Sequence, residues 1–206
     1  RIEINGARNN RVYAKDIILK IISTLGVGAG MGYAYEYGGD AVRALSMEER
    51  MTICNMSIEG GAMCGYVNPD ETTVEYLRGR EFVPEGEEFE KRAKWWYSLV
   101  SDKSAQYDDS VQLNAYDLEP MVTWGTNPGQ AIGISEKIPE PASNSDKDAL
   151  AYMKFNAGET IKGKKVDVVF IGSCTNSRVS DLREACEILR GQQVNPLVKA
   201  LVVPGS

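Results

Sequence analysis

The sequence contains no histidine. A Ser-His-Asp relay, Cys-His nucleophilic catalysis, histidine-ligated zinc and a histidine general base are therefore beyond this chain acting alone. It has no C-x-x-C pair either. Its four cysteines, Cys54, Cys64, Cys174 and Cys186, are scattered, too few for a disulfide framework, and read as reduced thiols of a cytoplasmic protein. No apolar run approaches the roughly 18–20 residues of a membrane span, and no charged-apolar-small leader opens the chain. An excess of basic residues is also missing: 23 Lys+Arg stand against 29 Asp+Glu, a net charge of −6, which argues against a nucleic-acid partner. The chain begins with Arg1 rather than Met, so its natural start is expected upstream.

A nucleotide loop is absent as well. GVGAGMG (26–32) fails the G-x-G-x-x-G spacing, because the position three after Gly28 is Met31. The loop also follows a predicted helix and precedes a predicted strand, the reverse of the order that seats a phosphate on a helix N-terminus. Its expected role is conformational, a tight entry into the strand YAYEY (33–37) where side chains would clash.

What is present reads as an α/β fold. Of 206 residues 43% are hydrophobic and 25% charged, enough for one full domain or two modest ones. Ile17, Ile18, Ile21, Ile22 and Leu25 recur at helical spacing within 15–25. A long helix is predicted from Ser46 to about Ala62, with Ser46 as N-cap and Glu49 completing a capping box. Pro69 to Thr73 forms a turn into a helix over 74–80, and a further helix over 87–100 places Phe89, Ala93, Trp96 and Leu99/Val100 on one face. IPEPASNSDKD (138–148) is the best linker candidate, which divides the chain into 1–140, carrying Asn55 and Glu59, and 141–206. The second part reads as β-α-β: strand 166–172, helix 179–190, strand 199–206. Its strands are near-continuous apolar runs, the pattern of a parallel sheet covered on both faces.

Two groups of residues could carry chemistry. In IGSCTNSR (171–178), Cys174 falls in the turn at the carboxyl end of a parallel strand, where α/β folds place their sites. The helix N-terminus that follows favours a thiolate, and Ser173, Thr175, Asn176 and Ser177 offer hydrogen bonds to sulfur. A small buried cysteine with capping neighbours explains the same pattern. In MTICNMSIE (51–59), Asn55 and Glu59 stand four apart and share a helical face. They could orient a bound hydroxyl, or form a solvated pair.

These motifs resemble one family. MTICNMSIEGGA (51–62), NPDETTVEYLRGR (68–80), VTWGTNPGQ (122–130) and VVFIGSCTNSR (168–178) are similar to the aconitase superfamily, in particular to its branch of isopropylmalate dehydratase large subunits. The resemblance runs from about Gly26 to Ser206. It implies three-layer α/β/α aconitase-like domains, truncated before the last sheet is complete, and a [4Fe-4S] hydro-lyase that interconverts 2-isopropylmalate and 3-isopropylmalate in leucine biosynthesis. It assigns Cys174 as a cluster ligand, Asn176 as a cluster neighbour, and Asn55 and Glu59 as catalytic. It implies two further cysteines downstream of Ser206, active-site Asp and His residues upstream of Arg1, and a catalytic serine on a separate small subunit with a swivelling domain. Met31 stands where Thr is more usual and Glu49 where Gly is more usual.

The chain is thus expected to be an internal fragment, inactive by itself, with a small subunit and isopropylmalate as partners and neither nucleic acid nor membrane. A fragment of a homoaconitase or aconitase-type hydratase, and a non-catalytic subunit-docking module, are the alternatives. The zero histidine count then marks truncation rather than a histidine-free mechanism.

Overall fold

The computed structural model describes residues 1–173 and 175–205. It has two compact units, Arg1–Pro120 and Met121–Ser206.

The first unit is built on four parallel strands, β1 (Ile2–Asn5), β2 (Ala34–Gly38), β3 (Cys64–Val67) and β4 (Val111–Asn114), in the order β3-β2-β1-β4. Between them lie α1 (Ala14–Leu25), α2 (Asp40–Arg43), α3 (Met47–Asn55), α4 (Glu71–Leu77) and α5 (Gly86–Tyr97). Strand side chains alternate between faces. Ile2, Ile4, Tyr35 and Tyr37 are buried in the core together with Ile17, Ile18, Ile21 and Ile22 of α1 and Ile53 of α3, and α1 packs against α3. Burying each such aliphatic side chain contributes about 1.5–3 kcal/mol.

Glu36, between Tyr35 and Tyr37, points to the other face and is itself buried. It accepts hydrogen bonds from Tyr66 (2.5 Å), Ser101 (2.7 Å), Asn68 (2.8 Å), Tyr107 (3.0 Å) and the Arg1 guanidinium. Five donors satisfy a carboxylate that would otherwise be costly to bury, and they tie the segment between α5 and β4 to the sheet.

The Ser46 capping box forms as predicted: the Glu49 amide donates to Ser46 Oγ at 3.3 Å, and the Ser46 amide donates to Glu49 Oε2 at 3.0 Å. Glu49 also pairs with Arg8. The helix it starts is shorter than predicted, because α3 stops at Asn55 and the chain turns through a one-turn 3-10 helix, Ile58–Gly60. Ser57 Oγ donates to the Ile53 carbonyl at 2.9 Å, and Gly61 at φ 85° reverses the chain. The helix predicted over 74–80 begins instead at Glu71, since Asp70 caps it by accepting the Thr73 amide at 3.2 Å. α5 ends at Tyr97 and leaves Leu99 and Val100 exposed, while Trp96 meets Phe89 edge to face at 5.7 Å.

The second unit has a hairpin, β5 (Met121–Thr123) with β6 (Ala131–Gly133), then α6 (Asn144–Met153), β7 (Val168–Gly172), α7 (Val179–Leu189) and β8 (Lys199–Val203). Trp124, Ile132, Ile138, Ala149 and Leu150 form one core cluster, so the proline-rich stretch 138–148 lies within this unit. β7 and β8 pair in parallel, as the β-α-β reading requires. The expected cover on both faces is not found among the described residues: Val168, Phe170 and Val202 are each more than half exposed.

Candidate active site

Asn55 is the last residue of α3 and Glu59 the middle residue of the 3-10 turn. They do not share the face of one continuous helix. Burial along the turn shows what they do share: Met56, Ser57 and Gly60 are buried, whereas Asn55, Ile58 and Glu59 are exposed. The turn therefore presents three side chains outward from a fixed base.

Ser57 is that base. It is fully buried, and its hydroxyl meets the Tyr37 hydroxyl at 2.7 Å as well as the Ile53 carbonyl. Burial pushes the Tyr37 phenol well above its ordinary pKa, so its hydroxyl stays protonated and available to the pair. The Ser57 carbonyl accepts the amides of Gly60 and Ala62, both at 3.1 Å. A Cβ on Gly65 of β3 would lie 2.2 Å from Ser57 Oγ, so only glycine leaves the serine its place.

The glycine loop supplies the other support. Gly30 donates to the Gly60 carbonyl at 2.9 Å, and Met63 donates to the Tyr33 carbonyl at 2.8 Å. A Cβ on Gly30 would stand 2.4 Å from the Ala62 amide nitrogen. The expected conformational role of GVGAGMG is thus realised as backbone laid on backbone behind Glu59. Both loops enter strands at their first residues, where Ala34 pairs with Cys64. They occupy the amino-terminal edge of this sheet, opposite the edge at which open α/β sheets hold ligands.

Cys54 is half-buried beside this turn, and its burial, together with the neighbouring Cys64 thiol, pushes its own thiol up to about 11. A thiol so raised is a poor nucleophile or ligand, which agrees with a packing role.

The second candidate turn belongs to the other unit. Cys174 lies outside the described residues. Around it, Gly172 has φ 115°, Ser173 has φ 61°, and the Ser173 amide donates to the Val203 carbonyl at 2.9 Å. Ser177 is buried, donates through its hydroxyl to the same carbonyl, and accepts the Gly205 amide at 2.8 Å. Asn176 is half-buried in this turn. The segment is stapled to the end of β8, and a non-glycine residue at positive φ is held there by its neighbours. In the first turn of α7, Ser180 Oγ is buried with no hydrogen-bond partner among the described residues. Helix side chains lean toward the N-terminus, so this hydroxyl leans toward the turn. Among the described residues no three His, Cys, Asp or Glu converge as a metal site.

Sequence reasoning singled out Asn55 and Glu59 but missed Ser57 and Tyr37, which hold them. The signal available was the spacing of Ser57 four residues after Ile53, which allows a hydroxyl to end a helix by bonding back to its carbonyl. TWGTNPGQ, a matched motif, serves architecture. Trp124 and Gln130 are buried. Gln130 accepts the Thr126 amide at 2.7 Å and donates to Asp146 of α6 at 2.9 Å.

Comparison with known proteins places the whole chain. The profile described as "Aconitase family (aconitate hydratase)" matches residues 1–206. Among curated proteins, the chain is 60% identical over 212 residues to a "3-isopropylmalate dehydratase large subunit" of Synechococcus sp. (strain JA-2-3B'a(2-13)), covering 100% of this chain and 45% of that protein. Proteins of the same name from Gloeothece citriformis and Synechocystis sp. are each 58% identical with the same coverage. The chain spans about half the length of the curated relatives it matches.

Proposed function

The chain belongs to the aconitase family, and from that premise we propose that it is part of the large subunit of a 3-isopropylmalate dehydratase. The parent enzyme would interconvert 2-isopropylmalate and 3-isopropylmalate by removing and re-adding water. The observation that carries this is the outward display of both Asn55 and Glu59 on a turn immobilised by Ser57 and the glycine loop.

In this reading Glu59 is the general acid: its carboxyl donates a proton to the hydroxyl that leaves as water, the proton on the neighbouring carbon goes to the base expected on the small subunit, and the Glu59 carboxylate takes a proton back from water in the reverse step. Asn55, whose amide both donates and accepts, fixes that hydroxyl's orientation. Water elimination needs both, because a proton must be delivered at the right oxygen while the carbon skeleton is held still.

The family's [4Fe-4S] cluster fits the second turn in part. Cys174 would be one ligand and Asn176 would lie beside the cluster, and the Ser180 hydroxyl, which has no hydrogen-bond partner among the described residues, could donate toward it. A cluster needs three or four ligands, so the remainder would come from the rest of the parent chain. When bound, the cluster supplies Lewis acidity toward the substrate's oxygens.

The relatives' name, "large subunit", supports a small subunit as partner. No helix among the described residues is long and apolar enough to cross a membrane, and Cys54, Cys64 and Cys186 are free thiols. The test is to express the full-length large subunit with its small subunit, restore iron and sulfide anaerobically, and follow the ultraviolet absorbance of the unsaturated intermediate. Turnover of isopropylmalate is expected. Turnover of citrate or homocitrate alone would favour an aconitase or homoaconitase.

A further inference from the structure

No residue of α7 is buried as a whole, yet the hydroxyl oxygen of Ser180, in its first turn, is closed off from solvent and has no hydrogen-bond partner among the described residues. A buried hydroxyl without a partner is costly, and each one found calls for an explanation, a bound group being one. Starting the helix does not require it. Asp181 accepts the Arg178 amide at 2.9 Å, and the Leu182 amide donates to the Arg178 carbonyl at 3.0 Å. Residues of the parent chain that lie outside this one can deepen the burial of that oxygen but not undo it.

Helix side chains lean toward the N-terminus, so the hydroxyl leans toward the turn between β7 and α7. That turn is pinned on both sides of Cys174 to one carbonyl. The Val203 carbonyl receives the Ser173 amide at 2.9 Å and the Ser177 hydroxyl, and a Cβ on Gly172 would stand 2.1 Å from the Val203 oxygen. A turn held in this way has little freedom to rearrange and offer Ser180 one of its own carbonyls.

We infer that Ser180 is a positioning residue of the cluster site, its hydroxyl donating a hydrogen bond to a sulfur of the bound [4Fe-4S] cluster. The inference rests on the dehydratase reading above and adds to it a residue outside the ligand set. A hydrogen bond to sulfur stabilises the more negative, reduced cluster and holds the sulfur in place. Ser180 therefore raises the reduction potential and slows cluster loss.

The test uses the full-length large subunit with its small subunit, wild type and Ser180→Ala, each with and without cluster. In the loaded enzyme Ser180→Ala should shift the reduction potential to a more negative value, read by electron paramagnetic resonance during a redox titration. It should also shorten the half-life of the cluster absorbance under an iron chelator about tenfold. In the cluster-free protein the same variant should leave the unfolding midpoint unchanged or slightly raised, since it removes a hydroxyl that has no partner. Ser180→Thr, which keeps the hydroxyl, should restore both potential and half-life. An unchanged potential in Ser180→Ala, or a shift that Ser180→Thr does not reverse, would overturn the inference while leaving the dehydratase reading intact. So would a lowered unfolding midpoint of cluster-free Ser180→Ala, which would give the hydroxyl a protein partner. A wild-type enzyme that takes up no cluster would overturn the dehydratase reading, and the inference with it.

Discussion

The hydroxyls of Tyr37 and Ser57 meet at 2.7 Å in the core of the first unit, joining the central strand β2 to the turn that displays Asn55 and Glu59. Both residues are almost wholly buried, so each hydroxyl depends on the other, and Ser57 also on the Ile53 carbonyl. Tyr37→Phe and Ser57→Ala should each destabilise the protein by about 1–2 kcal/mol, because each strips a partner from a buried polar group. The double variant should cost less than the sum, since no hydroxyl is then stranded. Denaturant unfolding of the four proteins of this cycle measures the coupling directly.

Two glycines of the same loop should behave oppositely. A Cβ on Gly30 would stand 2.4 Å from the Ala62 amide, whereas one on Gly28 would meet only the flexible end of Met31 at 3.6 Å. Gly30→Ala should therefore push the glycine loop off the Glu59 turn and lower kcat at least tenfold, misplacement of a reacting group being costly. Gly28→Ala should leave kcat within about twofold, the small change expected of a substitution that displaces nothing. Steady-state kinetics on the parent enzyme separates the two.

Arg50 and Asp70 predict a pH dependence. The Arg50 side chain is buried and grips both Asp70 oxygens, at 2.6 and 2.7 Å. Burial alone would raise the Asp70 pKa, but the hydrogen bonds from Arg50 and the Thr73 amide outweigh it and hold the carboxyl below its ordinary value. A carboxyl depressed in the folded state contributes stability above its unfolded pKa, and that contribution is lost as pH falls through the folded value. Asp70→Asn should therefore weaken the protein by about 2–3 kcal/mol at neutral pH, where a buried guanidinium loses its counter-charge. It should also flatten the acid limb of the stability profile. Unfolding midpoints collected from neutral pH down to about 3, below the ordinary carboxylate range, check both statements.

Glu36 tests the other face of the sheet. Its five donors are Arg1 just before β1, Tyr66 of β3, Asn68 just after it, and Ser101 and Tyr107 of the segment that crosses between α5 and β4. Glu36→Leu should strand those donors and expose the 98–110 segment, seen as faster hydrogen exchange there while α1 and α3 keep their protection.

Local rules made much of this legible from residue order. Ser46 and Glu49 stand at capping-box spacing, and the box forms; four isoleucines and Leu25 of α1 recur at helical spacing, and all four isoleucines are buried. Sequence-local rules failed where a distant partner decides. Nothing within 46–62 says that Tyr37, on a strand some twenty residues earlier, will hold Ser57, and without that bond the helix reads as continuous through Glu59. Likewise nothing within 46–62 says that Gly30 will hydrogen-bond to the Gly60 carbonyl, or that a Cβ on Gly61 would crowd the Val27 carbonyl. The strands β7 and β8 carry the apolar pattern of a covered parallel sheet, yet their cover is not among the described residues.

The most direct measurement is kcat for 3-isopropylmalate in the reconstituted two-subunit enzyme carrying Glu59→Gln, read beside its unfolding midpoint and cluster absorbance. Glu59 is exposed on a turn held by other residues. Its loss should lower kcat by about 100- to 10,000-fold, the range of a proton-transferring group, with fold and cluster unchanged. A kcat within about threefold of wild type, with the fold and cluster intact, would contradict the account, since a group handling the proton in the rate-determining step contributes far more than that.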